Sequence, residues 1–369
     1  MVEGAQARLP DTTQDDGGRR LRLLIVAFYF PPAGGGGVQR PLQLAKHLRD
    51  SGVDVHVLAP DDPRWIHRDE LLEIPRDVTV WRARNFGPRG RKPAEELYDL
   101  VGTRRLLHRA ALFPRRLLMP DENVPWVLSA IPAAVGIVRR EQIDIVMTTS
   151  PPSSIHLVGA GVKALTGVRW IADLRDSIAA KPDLRFDRRA VRLKELSHRR
   201  IATLVARQAD RVVAVTETIG AEISAINPAA RVTVIPNGID QDEFADLRYT
   251  PGESFRLTHT GSFFGRRDPR PTLEAIGRAG GSIQARFIGD FRKADRNWLA
   301  ASGLDAQVEL IPFVTHRRSL ELQRDSEALL LLLPDGAVIA TSPPGRSTST
   351  LPQSARSWPQ CRRTEAPPG

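Results

Sequence analysis

The stretch Leu21 to Pro60, LRLLIVAFYFPPAGGGGVQRPLQLAKHLRDSGVDVHVLAP, leaves few folds open to this chain. Leu21 to Phe30 is almost wholly apolar, the pattern of a parallel strand covered by helices on both faces. Pro31 and Pro32 end it. Gly34 to Gly37 then put residues without Cβ at a sharp turn, so that backbone N–H groups can approach an anion at the start of the next helix. Arg40 sits in the first turn of that helix, Leu42, Leu44, Ala45 and Leu48 recur at helical spacing, and Gly52 stops it. Val53 to Leu58 reads as a second buried strand. A β-loop-α-β unit with a phosphate-sized hole is one reading of the glycines; a generic Rossmann entry whose glycines only permit tight packing is the other.

A chain of 369 residues has room for two such domains, and an apolar content of 41% supplies ordinary cores. The formal charge of +10 points to anionic partners such as phosphates, nucleic acid or acidic lipid, with solvated helix faces absorbing part of it. The single cysteine, Cys361, excludes an intramolecular disulfide framework and a cysteine-based zinc site, and suits a reducing, cytoplasmic compartment. Residues 1–20 read as a loose tail without the apolar core of a signal peptide, and the longest apolar runs are strand-sized.

The unit at Leu21–Pro60 then repeats. Asp61 to Pro93 is expected as an excursion outside the sheet with a short strand near Val78–Trp81. Ala94 to Met119 holds two helical patterns around RRLLHRAALFPRRLL, either a basic amphipathic surface for anionic lipid or an ordinary packed helix. Helices at Trp126–Arg139, Ser153–Leu165, Arg188–Arg207 and Glu217–Ile226 alternate with strands at Ile143–Met147, Val168–Leu174, Arg211–Val215 and Val232–Ile235. This is a doubly wound α/β domain, with ligands expected beyond the carboxyl ends of its strands. A second βα series starts at Phe255 and runs to the strand Ala328–Leu333. The expected architecture is therefore two tandem Rossmann-like domains, residues 21–250 and an incomplete 251–335, with a cleft between them. After Pro334 the pattern stops, and residues 336–369 read by composition as a disordered Pro/Ser tail.

Four strand ends gather polar residues: the glycine loop with Gln39 and Arg40; Thr148 to Ser154 with His156; Asp173-Leu174-Arg175-Asp176; and Thr216-Glu217 with Asn237-Gly238-Ile239-Asp240. A charge cluster at the end of a central strand is expected to face a cleft. His156 lies in an apolar helix face and reads as a packing histidine. In the second half, Gly261, Gly265, Arg266 and Arg267 set two guanidinium groups beside a helix start, where their forks match phosphate oxygens. No metal-ligand spacing is present.

Together, FYFPPAGGGGVQR, TTSPPSSIH, DLRD, VTETI, VIPNGID and TGSFFGRRDP resemble, in order, segments of the family 4 glycosyltransferases, over roughly Leu21 to Pro334. These are retaining enzymes with the two-Rossmann fold called GT-B. The resemblance implies donor contacts at Gly261, Ser262, Arg266 and Arg267, with Gly36, Gly37 and Arg40 closing over the phosphates. It implies cleft roles for Ser150, Asp173, Arg175 and Asp176, with no catalytic base assigned, because Ser150 stands where many relatives carry a histidine. It implies a nucleotide-sugar co-substrate, no cofactor or metal, and a glycan or lipid-linked acceptor; the basic stretch at Ala94–Met119 adds the expectation of peripheral contact with the inner face of an anionic membrane, and no nucleic-acid partner is expected. A non-catalytic remnant that binds nucleotide or membrane is the second reading. A dinucleotide-dependent oxidoreductase ranks last, since Gln39 and Arg40 stand where the third glycine of that fingerprint belongs.

One family segment, resembling GKIYEYLAAGRP, does not follow Leu333. Read in the frame that starts at the third base of each codon, Gly345 to Gly369 permits KIYEYLAAERPVLAAVPPDGGAAG, close to the missing segment. The tail is therefore expected to be the product of a reading-frame shift after about Pro334, leaving a truncated chain short of its donor-ribose segment.

Overall fold

The computed structural model describes residues 19–61, 67–87, 118–178, 189–263 and 268–332. Seven parallel strands form the first sheet: β1 (Arg22–Ala27), β2 (Asp54–Pro60), β3 (Thr79–Ala83), β4 (Ile145–Ser150), β5 (Arg169–Leu174), β6 (Arg211–Ala214) and β7 (Val232–Val234). Their spatial order is β3-β2-β1-β4-β5-β6-β7. The order reverses at β1, which pairs with β2 on one side and β4 on the other. A doubly wound sheet opens a crevice at that point, beyond the carboxyl ends of its strands.

Alternate β1 residues serve opposite faces, as strand geometry requires. Leu23, Ile25 and Ala27 pack with Leu42 and Ala45 of α1 (Gly36–Asp50). Leu24 and Val26 pack with α2 (Val127–Arg140) and α3 (Ile155–Thr166). Across β5, Trp170, Ala172 and Leu174 meet α4 (Arg189–Gln208) and α5 (Glu217–Ile226). Helices therefore cover both faces, which is why these strands read as unbroken apolar runs.

The second domain is smaller among the described residues. Its four parallel strands are β8 (Phe255–Thr260), β9 (Ile283–Ile288), β10 (Val308–Ile311) and β11 (Ala328–Leu329), in the order β10-β9-β8-β11. The helices α6 (Arg270–Ala279), α7 (Lys293–Ser302) and α8 (His316–Arg324) connect them. Its core centres on Phe263, Phe287, Phe291, Leu273 and Leu299.

Two sequence expectations change. The strand near Val78–Trp81 is no excursion: β3 pairs in parallel with β2 from His56↔Thr79 to Pro60↔Ala83 and forms the edge of the sheet. An edge strand needs only one buried face, so its mixed pattern gave little signal. The last strand is shorter than Ala328–Leu333. The tail at residues 1–18, the basic helical patterns at 94–117, Arg266 and Arg267, and everything after Leu332 lie outside the described residues.

Candidate active site

Strand register brings the polar ends of the first sheet into line. Ala27 stands beside Thr149, and Thr149 beside Asp173. The glycine loop after β1, the Ser150 turn after β4 and the Asp173–Asp176 segment after β5 therefore share one edge.

Arg40 reaches from α1 to the end of β5. Its Nη2 donates to Asp173 Oδ1 at 2.8 Å and its Nε bridges both carboxylate oxygens at 3.1 and 3.2 Å. Its remaining donors go to the carbonyls of Ile235 and Pro236, both at 3.1 Å, and to Asn237 Oδ1 at 3.3 Å. Asp173, fully buried, also accepts from Thr149 Oγ1 at 2.7 Å. Arg175 donates from Nε to the Ser150 carbonyl at 2.5 Å and from Nη1 to the Gly37 carbonyl at 2.6 Å. Burial lowers its pKa, with Asp173 and Asp176 acting the other way. Ser150 Oγ donates to the Asp173 carbonyl at 3.3 Å.

Gly37, Arg40, Ser150, Asp173 and Arg175 thus form one connected cluster, with Gly36 beginning α1 next to it. Both guanidinium groups are committed to protein acceptors, so they shape the loop instead of presenting open forks. Asp176 is exposed and outside the network. The start of α1 carries no side-chain cap, and Gly35 has φ 91°, a backbone that glycine adopts without strain. An uncapped helix start next to a glycine turn can receive an anion.

On the second-domain side, Gly261 and Gly289 follow β8 and β9. A Cβ on Gly289, which has φ +132°, would lie 2.9 Å from the Gly261 carbonyl, so these two strand ends touch backbone to backbone. The contact seats Ser262 against Asp290: the Asp290 N–H donates to Ser262 Oγ at 3.0 Å. Asp290 then faces the first domain, with Oδ2 2.8 Å from His67 Nε2. That bond holds the Asp290 carboxyl below the usual carboxylate range. His67 stacks on Phe313, with ring centroids 4.1 Å apart and planes at 13°.

His67, Asp290 and Phe313 escaped sequence reading. Asp290 ends the strand-like run ARFIGD and could have been found by the strand-end argument; nothing marks His67. His156 is buried, with Nδ1 2.9 Å from Thr148 Oγ1, and burial pushes its pKa down to about 3. It sits in the packing between α3 and Trp170, as its helix position suggested. Among the described residues no three His, Cys, Asp or Glu side chains gather as metal ligands. None of the described helices is long and apolar enough to cross a membrane.

The model of the family described as Glycosyltransferase Family 4 matches residues 34–243. No curated protein matches the sequence. Solved structures share the fold. Anabaena HepE in complex with UDP and glucose is 17% identical with a TM-score of 0.54, over 84% of this chain and 73% of that one. A glycosyltransferase from Rickettsia africae is 12% identical with a TM-score of 0.54, over 84% and 72%. The catalytic domain of starch synthase IV from Arabidopsis thaliana, bound to ADP and acarbose, is 12% identical with a TM-score of 0.52, over 86% and 80%.

Proposed function

Because the chain belongs to glycosyltransferase family 4, we propose that it moves a sugar from a nucleotide-sugar donor to a glycan or lipid-linked acceptor, with retention of configuration. The observation that carries the reading is the pair of facing strand-end sites: the uncapped glycine turn at Gly35–Gly37 and the Gly261–Ser262–Asp290 seat, linked by His67. In this reading the donor diphosphate lies against Gly261, Ser262, Arg266 and Arg267, and the start of α1 closes over it. Positive helix ends and the two guanidinium groups stabilise the charge that develops as the diphosphate leaves, so no metal is required. Arg40 and Arg175 hold the glycine loop in shape, and Asp173 orients Arg40.

The test is to incubate the purified protein with UDP-, ADP- and GDP-sugars, assay release of the free nucleoside diphosphate, and titrate UDP and ADP by calorimetry. Binding of one nucleotide is expected, and replacing both Arg266 and Arg267 by Ala in a frame-restored chain should weaken it by roughly 2–3 kcal/mol through loss of charge-assisted contacts. Unchanged affinity in that double variant removes these arginines from the donor site.

The same reading takes the residues after about Pro334 as the product of a shifted frame, supported by the likeness between the shifted translation and the family's donor-ribose segment. Resequencing the gene across the codons for Leu333 to Gly345 tests it, and a frame-restored chain should transfer faster than the 369-residue chain. Sugar transfer by the 369-residue chain at the restored chain's rate overturns it. Peripheral membrane contact is assigned to Arg104–Arg116. It predicts binding to anionic vesicles that weakens with salt, whereas equal partitioning to neutral vesicles removes it.

A further inference from the structure

Residues 67–69 form a short strap between the two domains. On the first-domain side it pairs with the glycine loop: the Gly34 N–H donates to the His67 carbonyl at 2.9 Å and the Asp69 N–H to the Pro32 carbonyl at 3.1 Å. Ala33 and Arg68 form an antiparallel bridge there. On the second-domain side the strap is gripped at two points. His67 stacks on Phe313 and bonds Asp290, while buried Asp69 accepts the His316 N–H at 2.6 Å, at the start of α8. Gly34 completes the joint, because a Cβ there would lie 2.9 Å from Phe313 Cζ. The glycine loop therefore has no independent position: it is bonded to the strap, and the strap is bonded to the loops after β9 and β10.

We propose that His67 is a positioning residue that couples the seat of the donor diphosphate at Ser262–Asp290 to the placement of the glycine loop above it. This rests on the donor reading given under Proposed function. Asp290 is the shared element, since its backbone N–H holds Ser262 Oγ while its carboxylate holds His67. A nucleoside diphosphate that settles against Ser262 fixes Asp290, Asp290 fixes His67, and the strap carries Gly34 and the start of α1 toward the phosphates. The chemistry suits the task, because a hydrogen bond to a carboxylate backed by a ring stack holds one orientation of the strap.

The experiment uses the full chain and amide hydrogen exchange over residues 34–38, first without ligand. His67→Ala and Asp290→Asn should each speed exchange there by about tenfold, since each removes the same charge-assisted bond. The double variant should add nothing further, and His67→Gln, which keeps an N–H donor, should restore most of the protection. Exchange that rises equally in the cores of both sheets, or that does not change at 34–38, overturns the coupling. In the second arm UDP is the probe. It should slow exchange at 34–38 in the unaltered chain, and in His67→Ala it should bind at Ser262 yet leave the loop unprotected. Loop protection by UDP in His67→Ala overturns the proposal. Failure of UDP and ADP alike to bind the unaltered chain counts against the donor reading, while the ligand-free arm still decides whether His67 holds the loop.

Discussion

Gly159 stands where α3 crosses β5, and the space of its missing side chain is filled by Trp170: a Cβ there would lie 2.1 Å from the indole Nε1. That indole donates to Thr148 Oγ1 at 2.8 Å, and Thr148 in turn meets His156. Gly159→Ala must therefore displace a fully buried tryptophan and break a buried polar chain, at an expected cost of at least about 3 kcal/mol. A chemical-denaturation midpoint equal to that of the unaltered protein would show that the helix can lift clear. His156 makes a second prediction. Its folded pKa of about 3 lies below the ordinary 6.5 because burial disfavours the charged ring. Below pH 6.5 the unfolded chain takes up a proton that the folded chain refuses, so stability falls as pH drops from 6.5 toward 3, by up to about 1.4 kcal/mol per unit. His156→Leu should flatten the melting temperature against pH between 6.5 and 4, whatever it does to stability at pH 7. An unaltered slope would assign the acid sensitivity to other groups.

At the scale of elements, Arg40 is the tie between α1, the end of β5 and the segment after β7. The pair it forms with Asp173 spans 133 residues of sequence, and both side chains are buried, at 9% and 0% exposure. Removing one partner of such a pair strands the other charge. Arg40→Ala should cost about 3–5 kcal/mol, and the double variant with Asp173→Asn should cost less than that single change. Equal losses for the single and double variants, read from urea unfolding, would mean that the carbonyl contacts of Arg40 matter and the carboxylate does not. The helix α5 offers a milder case: Thr216 Oγ1 accepts the Ile219 N–H at 3.3 Å and so caps the start of the helix.

At the scale of the whole molecule, the second domain is fastened where the chain enters it. Arg256, near the start of β8, bonds Glu327 at 2.8 Å and Asp325 at 2.9 Å, and it also bonds the Thr250 carbonyl. It thereby joins the segment after the first domain, the central strand and the approach to β11. Its bond to Glu327 lowers that carboxyl to about 2 from an ordinary 4.5. A depressed carboxyl pKa contributes stability that is complete above 4.5 and is lost as pH falls toward 2. Glu327→Gln should therefore raise exchange along Phe255–Thr260 at pH 6 and remove part of the acid sensitivity of the second sheet, with the first sheet unaffected. Uniform loosening of both sheets would show that the two domains unfold as one unit. The domains also meet through His316 Nε2 and Glu243 Oε2 at 3.0 Å and through Arg317 and Asp246 at 2.7 Å. Such partly exposed pairs contribute little each and steer alignment more than stability.

The chain's sequence by itself determined the alternation of strands and helices, the division into two βα series and the strand ends at which polar residues collect. Those properties are local: apolar period, glycine turns and caps act over a few residues, so Gly34–Gly37, Asp173–Asp176 and Gly261–Ser262 were legible before any coordinate. Only the tertiary structure decided what these residues do. Arg40 looked open to an anion and Arg175 only faced the cleft, because sequence does not tell which acceptor a guanidinium meets, and here the nearest acceptors come from β5, the turn after β4 and the segment after β7. β3 joined the sheet because one face of a modest strand found β2, and His67 became one of the contacts between domains because Asp290, 223 residues away, lies 2.8 Å from its ring. Periodicity fixes which face of an element is apolar; the partner of a buried charge is fixed only when the fold brings distant segments together and the cost of leaving that charge unpaired selects one arrangement.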